Sequence, residues 1–396
     1  MIDSINANIT HAYYYDANGF SSGEDFAAKV KKVFPEAFLY DVDGEMSHPY
    51  LKDMQTVEKF LHGGGQTYKV YRFFLTHLTP DIEKAGLSGW CIMLAYFPES
   101  NITALSFHYG IKDTTTDNLI AIRQSGDGRK YKFENGEFSC FELAEIICRK
   151  IGIKEKFCEH SYLCEITKLG EYKTIEEIEE KESKRLYGII TGDEGYAFVP
   201  AELAKDRLSN TWSSREFMNI YAFGQAFLFI NLIGTPIHND YLNRQTEYGT
   251  KTYGSCNPYF FMGDCPLTVN HGILFSVEFV MMLKALINSV LEYQSEYTKK
   301  SFVSYYQRIR TTREFRRKII MVLEKVEKTE ISEIGQLSSM LLESQHIAPI
   351  VDQVKYLLEL LEGDLSLVYS EHNNLLVTIL TVLGLLLAVW QVILAL

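Results

Sequence analysis

Over the first 165 residues, short apolar, β-branched and aromatic runs alternate with amphipathic segments. The predicted strands are His11–Tyr15, Ala37–Val42, Thr67–Leu75, Trp90–Phe97, Ile102–Gly110, Leu119–Gln124 and Lys130–Phe133, and the predicted helices are Glu24–Val33, Thr56–Leu61 and Cys140–Ile151. Several strands follow one another through short links, and the Asp127-Gly128 pair suits the positive φ angles of tight hairpins. The pattern therefore predicts an α+β domain over residues 1–165, with a mixed or antiparallel sheet and helices packed on it.

Residues 166–272 form a second part of the soluble body, which we expect to pack on the first. The predicted elements are the charged helix Thr174–Lys184, the strand Leu186–Thr191, the helix Ala201–Leu208 and the apolar run Phe217–Ile233. The residues that stand beside apolar walls in its loop-rich stretches are Trp212, Arg215, Asn257, Asn270 and His271. This composition is typical of the rim of a small-molecule pocket, and equally of ordinary well-capped loops.

From residue 273 the pattern becomes helical, and residues 273–374 are predicted to form a helical hairpin and a stalk. The first arm extends to about Lys328, and a turn near residues 329–332 starts the second. On the second arm, apolar residues recur at steps of three and four: Ile347, Ile350, Val354, Leu357, Leu361, Leu365 and Val368. That period is close to the 3.5 residues of helices that pack along one seam, which predicts self-association.

The last 22 residues, Leu375–Leu396, contain no charged side chain. At about 1.5 Å per residue, a helix of this length covers the roughly 30 Å hydrocarbon core of a bilayer. We therefore expect a single C-terminal transmembrane helix in the inner (cytoplasmic) membrane, with the bulk of the chain in the cytosol. The segment 272–291 is also apolar, but Glu278 and Lys284 favour a buried helix there.

The small and polar residues of the predicted span fall on one stripe. Its members are Asn374, Thr378, Thr381, Gly384, Ala388 and Gln391. Small residues let helices approach closely in lipid, and polar groups seek partners away from hydrocarbon, so the stripe faces other helices or water. A dry helix interface and a pore lining both remain open. The flank before the span carries Glu362, Asp364 and Glu371, which would form an acidic collar that attracts cations.

Composition excludes several classes of function. The formal charge of −12 argues against direct nucleic-acid binding, and 46% hydrophobic residues supply a large core. The seven cysteines are scattered, which indicates reduced thiols, and the Cys158, His160 and Cys164 spacing fits core packing better than a metal site. No paired carboxylate, Ser-His-Asp spacing or HExxH motif supports catalysis, so no enzyme, metal or cofactor is predicted. An active site assembled from separate loops would leave no such motif and stays an alternative.

Asn374 lies upstream of the Leu380-Thr381 pair, at the end of a long helix that is predicted to enter the membrane. With this arrangement, residues 273–396 resemble the CorA-type channels. The Gly-Met-Asn signature of that family does not follow the span. The chain is more similar to the divergent CorA-like proteins associated with type III CRISPR systems. That resemblance implies a homo-oligomeric membrane effector or ion channel of bacterial antiviral defence, gated by a small anionic nucleotide that the soluble domain senses. The alternatives are a tail-anchored oligomeric scaffold without a pore and a CorA-type divalent-cation transporter. The implied partners are the lipid bilayer, other copies of the chain and the nucleotide.

Overall fold

The computed structural model describes residues 4–17, 19–40, 70–75, 77–125, 128–153, 157–241, 243–244, 271–299, 313, 316–317, 319–320 and 333–395. Eleven strands are found in this part of the chain: β1 Ile5–Asp16, β2 Phe38–Tyr40, β3 Tyr71–Phe74, β4 Gly89–Phe97, β5 Ile102–Thr114, β6 Lys130–Phe133, β7 Gly136–Ser139, β8 Phe157–Leu169, β9 Thr211–Arg215, β10 Met218–Phe223 and β11 Ala226–Asn231. Nine of them form one sheet in the order β2-β3-β4-β5-β1-β8-β11-β10-β9, and β6 and β7 form a separate hairpin. All neighbours are antiparallel except β8 and β11, so the sheet is mixed.

Helices cover both faces of the sheet. They are α1 Gly23–Val33, α2 Ile82–Ala85, α3 Thr116–Gln124, α4 Cys140–Ile151, α5 Ile175–Thr191, α6 Ala201–Arg207, α7 His271–Lys299, α8 Glu333–Ser344 and α9 Ile347–Ala395. A 3₁₀ turn covers Tyr196–Phe198, and residues 236–241 are also helical. The predicted α+β class with a mixed sheet is confirmed.

The central strand β1 shows why the sheet needs a helix layer on each face. Side chains alternate along a strand, and nearly all of β1 is buried on both sides. Tyr13 contacts Phe141 of α4 on one face, with ring centroids 5.5 Å apart. Asp16, on the opposite face, accepts a hydrogen bond from Ser289 of α7 at 2.7 Å. Helices α1, α3, α4 and α5 share the first face, whereas α7 and α8 share the second.

Local signals set several helix ends. Ser139 and Glu142 form a reciprocal capping box at the start of α4, which begins and ends where the sequence predicts. Thr174 caps α5, and Gly192 ends that helix with φ of 78°, a left-handed conformation that favours glycine.

Two predicted strands are wrong. The segment Leu119–Gln124 belongs to α3, because Thr115 caps a helix there and Leu119, Ile120 and Ile122 form its buried face. Residues 186–191 continue α5 rather than starting a strand, because no helix-ending residue separates them from the charged turns before them. The predicted helix Thr56–Leu61 lies outside the described residues.

The predicted second arm is two helices rather than one. Helix α8 ends at Ser344, and His346 adopts a left-handed φ of 52° before α9 starts at Ile347. The first arm also differs from a free hairpin, because residues 273–290 of α7 pack in the core against β1, β5 and β8. The sheet is continuous across residue 165, which falls within β8, and β9 to β11 extend the same sheet.

Candidate functional site

Two described helices are long and apolar enough to span a membrane, and burial distinguishes them. The segment Ile273–Glu292 of α7 is 89% buried within the protein, whereas no residue of Tyr369–Leu387 in α9 is buried. Leucines of the second segment, such as Leu380 and Leu385, are about two-thirds exposed. At roughly 25 cal/mol per Å² of apolar surface, such a row of leucines is unfavourable in water, so this part of α9 needs an apolar environment.

The polar stripe lies on one uninterrupted helix. The Thr378 hydroxyl donates to the carbonyl oxygen of Asn374, and the Thr381 hydroxyl donates to that of Val377, each at 2.8 Å. Both hydroxyls are therefore satisfied within α9. A Cβ atom at Gly384 would meet no described atom within 4 Å, so the helix surface is open to a close neighbour at that point.

The remaining predicted stripe and collar residues also lie on α9. Ala388 and Gln391 follow Gly384 at helical spacing, and Glu371 is exposed one turn before Leu375, where the predicted span begins. Glu362 and Asp364 belong to the same helix. The described structure does not extend to the side chains of Ala388, Gln391, Glu362 and Asp364.

The first turns of α9 are anchored in the soluble body. Ile347, Val351 and Val354 are buried in its core, whereas Tyr356 and the described side chains after it are mostly exposed. The first residues of the predicted self-association seam therefore pack within their own chain, because α7 and α8 lie against them. Helix α9 therefore runs without a break from the core of the body to the apolar segment.

A partly buried group of polar side chains lies where α8 turns into α9. We call it the junction cluster, and its members are Glu159, Gln225, Lys284, Asn288 and Gln345. Lys284 Nζ donates to Gln345 Oε1 at 3.0 Å and pairs with Glu159 Oε2 at 3.4 Å. Asn288 Nδ2 donates to Glu159 Oε2 at 3.1 Å, and the amide of Gln225 donates to the other oxygen of that carboxylate.

The junction cluster also reaches the sheet. The side-chain amide of Gln345 donates to the carbonyl oxygen of Gly224 in the β10–β11 turn. Four elements of the body thus meet immediately before α9: β8, the β10–β11 turn, α7 and the end of α8. No local sequence pattern predicts this cluster, because the contacting residues are 61 to 129 positions apart.

A second buried contact holds α7 on the sheet. Arg72 of β3 forms a bidentate salt bridge with Glu278, with N–O distances of 2.7 and 2.9 Å. The guanidinium also lies 4.5 Å from the centre of the Phe275 ring. Both partners are almost fully buried. Glu278, the acidic residue that argues against a membrane span in α7, is therefore paired with Arg72 inside the protein.

An open cleft of about 620 Å³ lies beside the edge strand β9. Its lining residues are Ser213, Ser214, Arg215, Glu216, Phe217, Ile237, Asp240, Tyr241 and Arg244. The Arg215 guanidinium lies 5.6 Å from the centre of the Tyr241 ring, and Arg244 pairs with Asp240 at 2.9 Å. Helix α8 packs on β9 and β10 and also contacts α9. The strand beside the cleft, β9, and the start of α9 therefore contact the same helix.

The predicted ligand-binding residues are not all brought together. Arg215 lines the cleft, while Trp212 is half-buried on the same strand and pairs with Ile220 of β10. His271 is the first residue of α7, and its side chain is not among those described. Asn257 and Asn270 lie outside the described residues.

No metal site is formed by the described residues, which contain no group of three His, Cys, Asp or Glu side chains arranged to hold an ion. Burial raises the pKa of the Cys164 thiol to about 12, so this thiol stays protonated at neutral pH. Comparison with known proteins finds no matching family model, no matching curated protein and no matching solved structure.

Proposed function

We propose that this chain is a homo-oligomeric membrane effector or ion channel, in which a small anionic ligand bound by the cytosolic body changes the packing of the C-terminal helices. The observation that carries the proposal is the continuity of α9. Ile347, Val351 and Val354 in its first turns are buried in the core, whereas no residue of Tyr369–Leu387 is buried. A shift at the junction cluster is therefore transmitted to the apolar segment without a hinge.

In this proposal, residues 375–396 form the single membrane span and the preceding turns of α9 form the stalk. A single span cannot enclose a pore, so the spans of several copies must surround it. The stripe from Asn374 to Gln391 then faces the centre of the assembly. Gly384 and Ala388 permit close approach there, and Glu371 lies at the cytosolic entrance, where its charge would concentrate cations.

The ligand acts through differential affinity for two arrangements of the body. The contacts that support such coupling run from β9 at the cleft to α8, and from α8 through Gln345 to α9. The resemblance to the CorA-like proteins of type III CRISPR systems supports a nucleotide as the ligand. It also supports a role in antiviral defence at the bacterial inner membrane.

Ion flux through liposomes tests the proposal. Purified full-length protein is reconstituted, and flux is recorded with and without a panel of linear and cyclic nucleotides. We expect at least one nucleotide to open the path, Thr381→Leu to reduce the flux, and the matched off-stripe variant Val382→Leu to leave it unchanged. If no nucleotide produces flux, or if both variants behave as the parent, the pore is refuted.

A second pair of variants tests the coupling. Gln345→Leu removes the contacts to Lys284 and Gly224, whereas Gln353→Leu changes an exposed glutamine in the second turn of α9. We expect Gln345→Leu to weaken the dependence of flux on the nucleotide, and Gln353→Leu to preserve it. Equal nucleotide dependence in both variants would exclude the junction cluster from the gating path.

A tail-anchored oligomeric scaffold is the second candidate. It is favoured by the Thr378 and Thr381 hydroxyls, which bond to their own helix and need no water. Replacing residues 375–396 with an unrelated apolar helix of equal length separates the two candidates. A scaffold keeps its oligomeric state and shows no flux before or after the exchange, whereas an effector loses its flux.

A further inference from the structure

A group of hydrogen-bond donors lies beneath α3 and α4, on the face of the sheet opposite the junction cluster. We call it the donor cluster, and its members are His11 of β1, Arg123 of α3, and His160 and Tyr162 of β8. The His11 ring lies 5.3 Å from the Tyr162 ring and 6.0 Å from the His160 ring, measured between centroids. The Arg123 guanidinium lies 5.3 Å from the centre of the Tyr162 ring. Four side chains from three elements thus converge on one place.

Two nitrogen atoms of the donor cluster are buried without a hydrogen-bond partner among the described residues: His11 Nδ1 and Arg123 Nε. Among the described residues, the hydrogen-bond neighbour of the Tyr162 hydroxyl is the weakly polar Cys164 thiol. Buried polar atoms in native proteins nearly always have a partner, because leaving one unpaired costs the full desolvation of that group. Two unpaired atoms in one cluster, with a third poorly paired, indicate that a bound group completes it.

The charges around the donor cluster identify the kind of group. Those acting on His11 come from His160, Arg123 and Arg129, and none is a carboxylate. Burial first, and these basic groups second, hold the pKa of His11 well below its usual value. A metal ion would need carboxylate, thiolate or imidazole ligands in a set that these residues do not supply. An anion is what this surplus of N–H and O–H donors would attract.

Hydrogen bonding within the cluster allows His11 to act as a donor. Its Nε2 lies 3.1 Å from the Tyr109 hydroxyl, and when that hydroxyl donates to Nε2 the proton of the neutral His11 ring lies on Nδ1. The Tyr109 ring stacks on Trp90 at 5.7 Å, and the Tyr131 ring packs against Trp90 at 5.1 Å in a tilted orientation. These aromatic walls exclude water and so strengthen charge-assisted hydrogen bonds inside. Arg123 and His160 are only partly buried, which leaves a route from solvent.

We infer that the donor cluster binds a phosphate group, with the Arg123 guanidinium, His11 Nδ1–H and the Tyr162 hydroxyl as donors. The group belongs either to inorganic phosphate or to a nucleotide. Strand β8 carries His160 on this face and its neighbour Glu159, in the junction cluster, on the other. Phosphate binding at this site does not depend on the proposed function. Only an effect of the bound phosphate on α9 would rest on that function.

Calorimetric titration of the full-length protein in detergent tests the inference, with inorganic phosphate and adenosine 5′-monophosphate as the two probes. We expect saturable binding of at least one probe. Tighter binding of the nucleotide identifies a nucleotide phosphate, whereas equal or tighter binding of inorganic phosphate identifies the free anion. We expect Arg123→Met to weaken binding about tenfold or more, since it removes a charge-assisted hydrogen bond. The control Arg207→Met, on the exposed surface of α6, should bind as the parent does.

Tyr162→Phe provides a second variant that keeps the ring packing and removes only the hydroxyl. We expect it to weaken binding about threefold or more, so the test does not depend on the folding of Arg123→Met. Absence of binding of both probes to the parent overturns the inference, as does unchanged affinity in Arg123→Met and Tyr162→Phe. Phosphate binding without nucleotide-dependent flux would refute the proposed channel and leave the site intact. Nucleotide-dependent flux without phosphate binding would refute the phosphate site and leave the proposed channel intact.

Discussion

Replacing Glu278 with leucine distinguishes a core helix from a membrane span in α7, because the two roles predict opposite effects. The carboxylate pairs with Arg72, and both groups are almost completely buried. At about 4 Å between charge centres and an effective dielectric constant of about 20, their attraction is roughly 4 kcal/mol. Glu278→Leu leaves Arg72 buried without its counter-charge, which typically costs about 3–5 kcal/mol of unfolding free energy.

The double variant Arg72→Met/Glu278→Leu provides the internal control. It removes both charges and keeps similar side-chain volume, so we expect its stability to lie within about 1–2 kcal/mol of the parent or above it. The two single variants should each be much less stable than the double variant. This pattern would assign the loss to an unpaired charge and not to poor packing.

Urea unfolding of the four proteins in the same detergent, followed by tryptophan fluorescence and circular dichroism, measures these differences. The free energies can be compared only if both probes report the same transition. If α7 crossed the membrane, a leucine in place of Glu278 would favour insertion and leave stability unchanged or increased. That result would refute the assignment of α7 to the soluble core.

Two further predictions concern pH and the apolar segment. Burial, followed by the charge of Arg72, lowers the pKa of His108 to about 3, from 6.5. The unfolded chain therefore binds the extra proton between pH 6.5 and 3, and we expect the unfolding free energy to fall by up to about 1.4 kcal/mol per pH unit as the pH decreases through this window. His108→Gln should reduce that slope in pH-dependent unfolding, and an unchanged slope would contradict the assignment. Gly384→Leu should leave thermal unfolding of the body unchanged, because no described atom is near that position, but should reduce the oligomer mass in detergent. Equal masses for Gly384→Leu, Val382→Leu and the parent would exclude Gly384 from the helix interface.

Local signals explain which helices could be predicted from the sequence. Helix α4 could be predicted to the residue, because Ser139 and Glu142 form a capping box and its apolar positions have helical spacing. The sequence of α3 wrongly predicts a strand, because its Leu-Ile-Ala-Ile run is as apolar and β-branched as a buried strand. The capping residue Thr115 was the signal that could have corrected it.

The functional contacts were harder to predict, because they depend on how distant segments meet. The stripe could be predicted from residue spacing alone, because all its members lie on one continuous helix, α9. The pairing of Arg72 with Glu278 joins residues 206 positions apart, and the donor cluster joins β1 to α3 and β8. The sequence shows these side chains as isolated polar residues within apolar runs. Their partners become visible only when the order of the strands is known.

The mass of the full-length protein in detergent, measured by light scattering after chromatography, tests the central claim most directly. A channel formed by single spans requires several copies, so we predict a defined oligomer whose mass falls when residues 375–396 are replaced by an unrelated apolar helix. A monomer at all protein concentrations, with and without nucleotides, would contradict the proposal, because one helix cannot surround a path across the membrane.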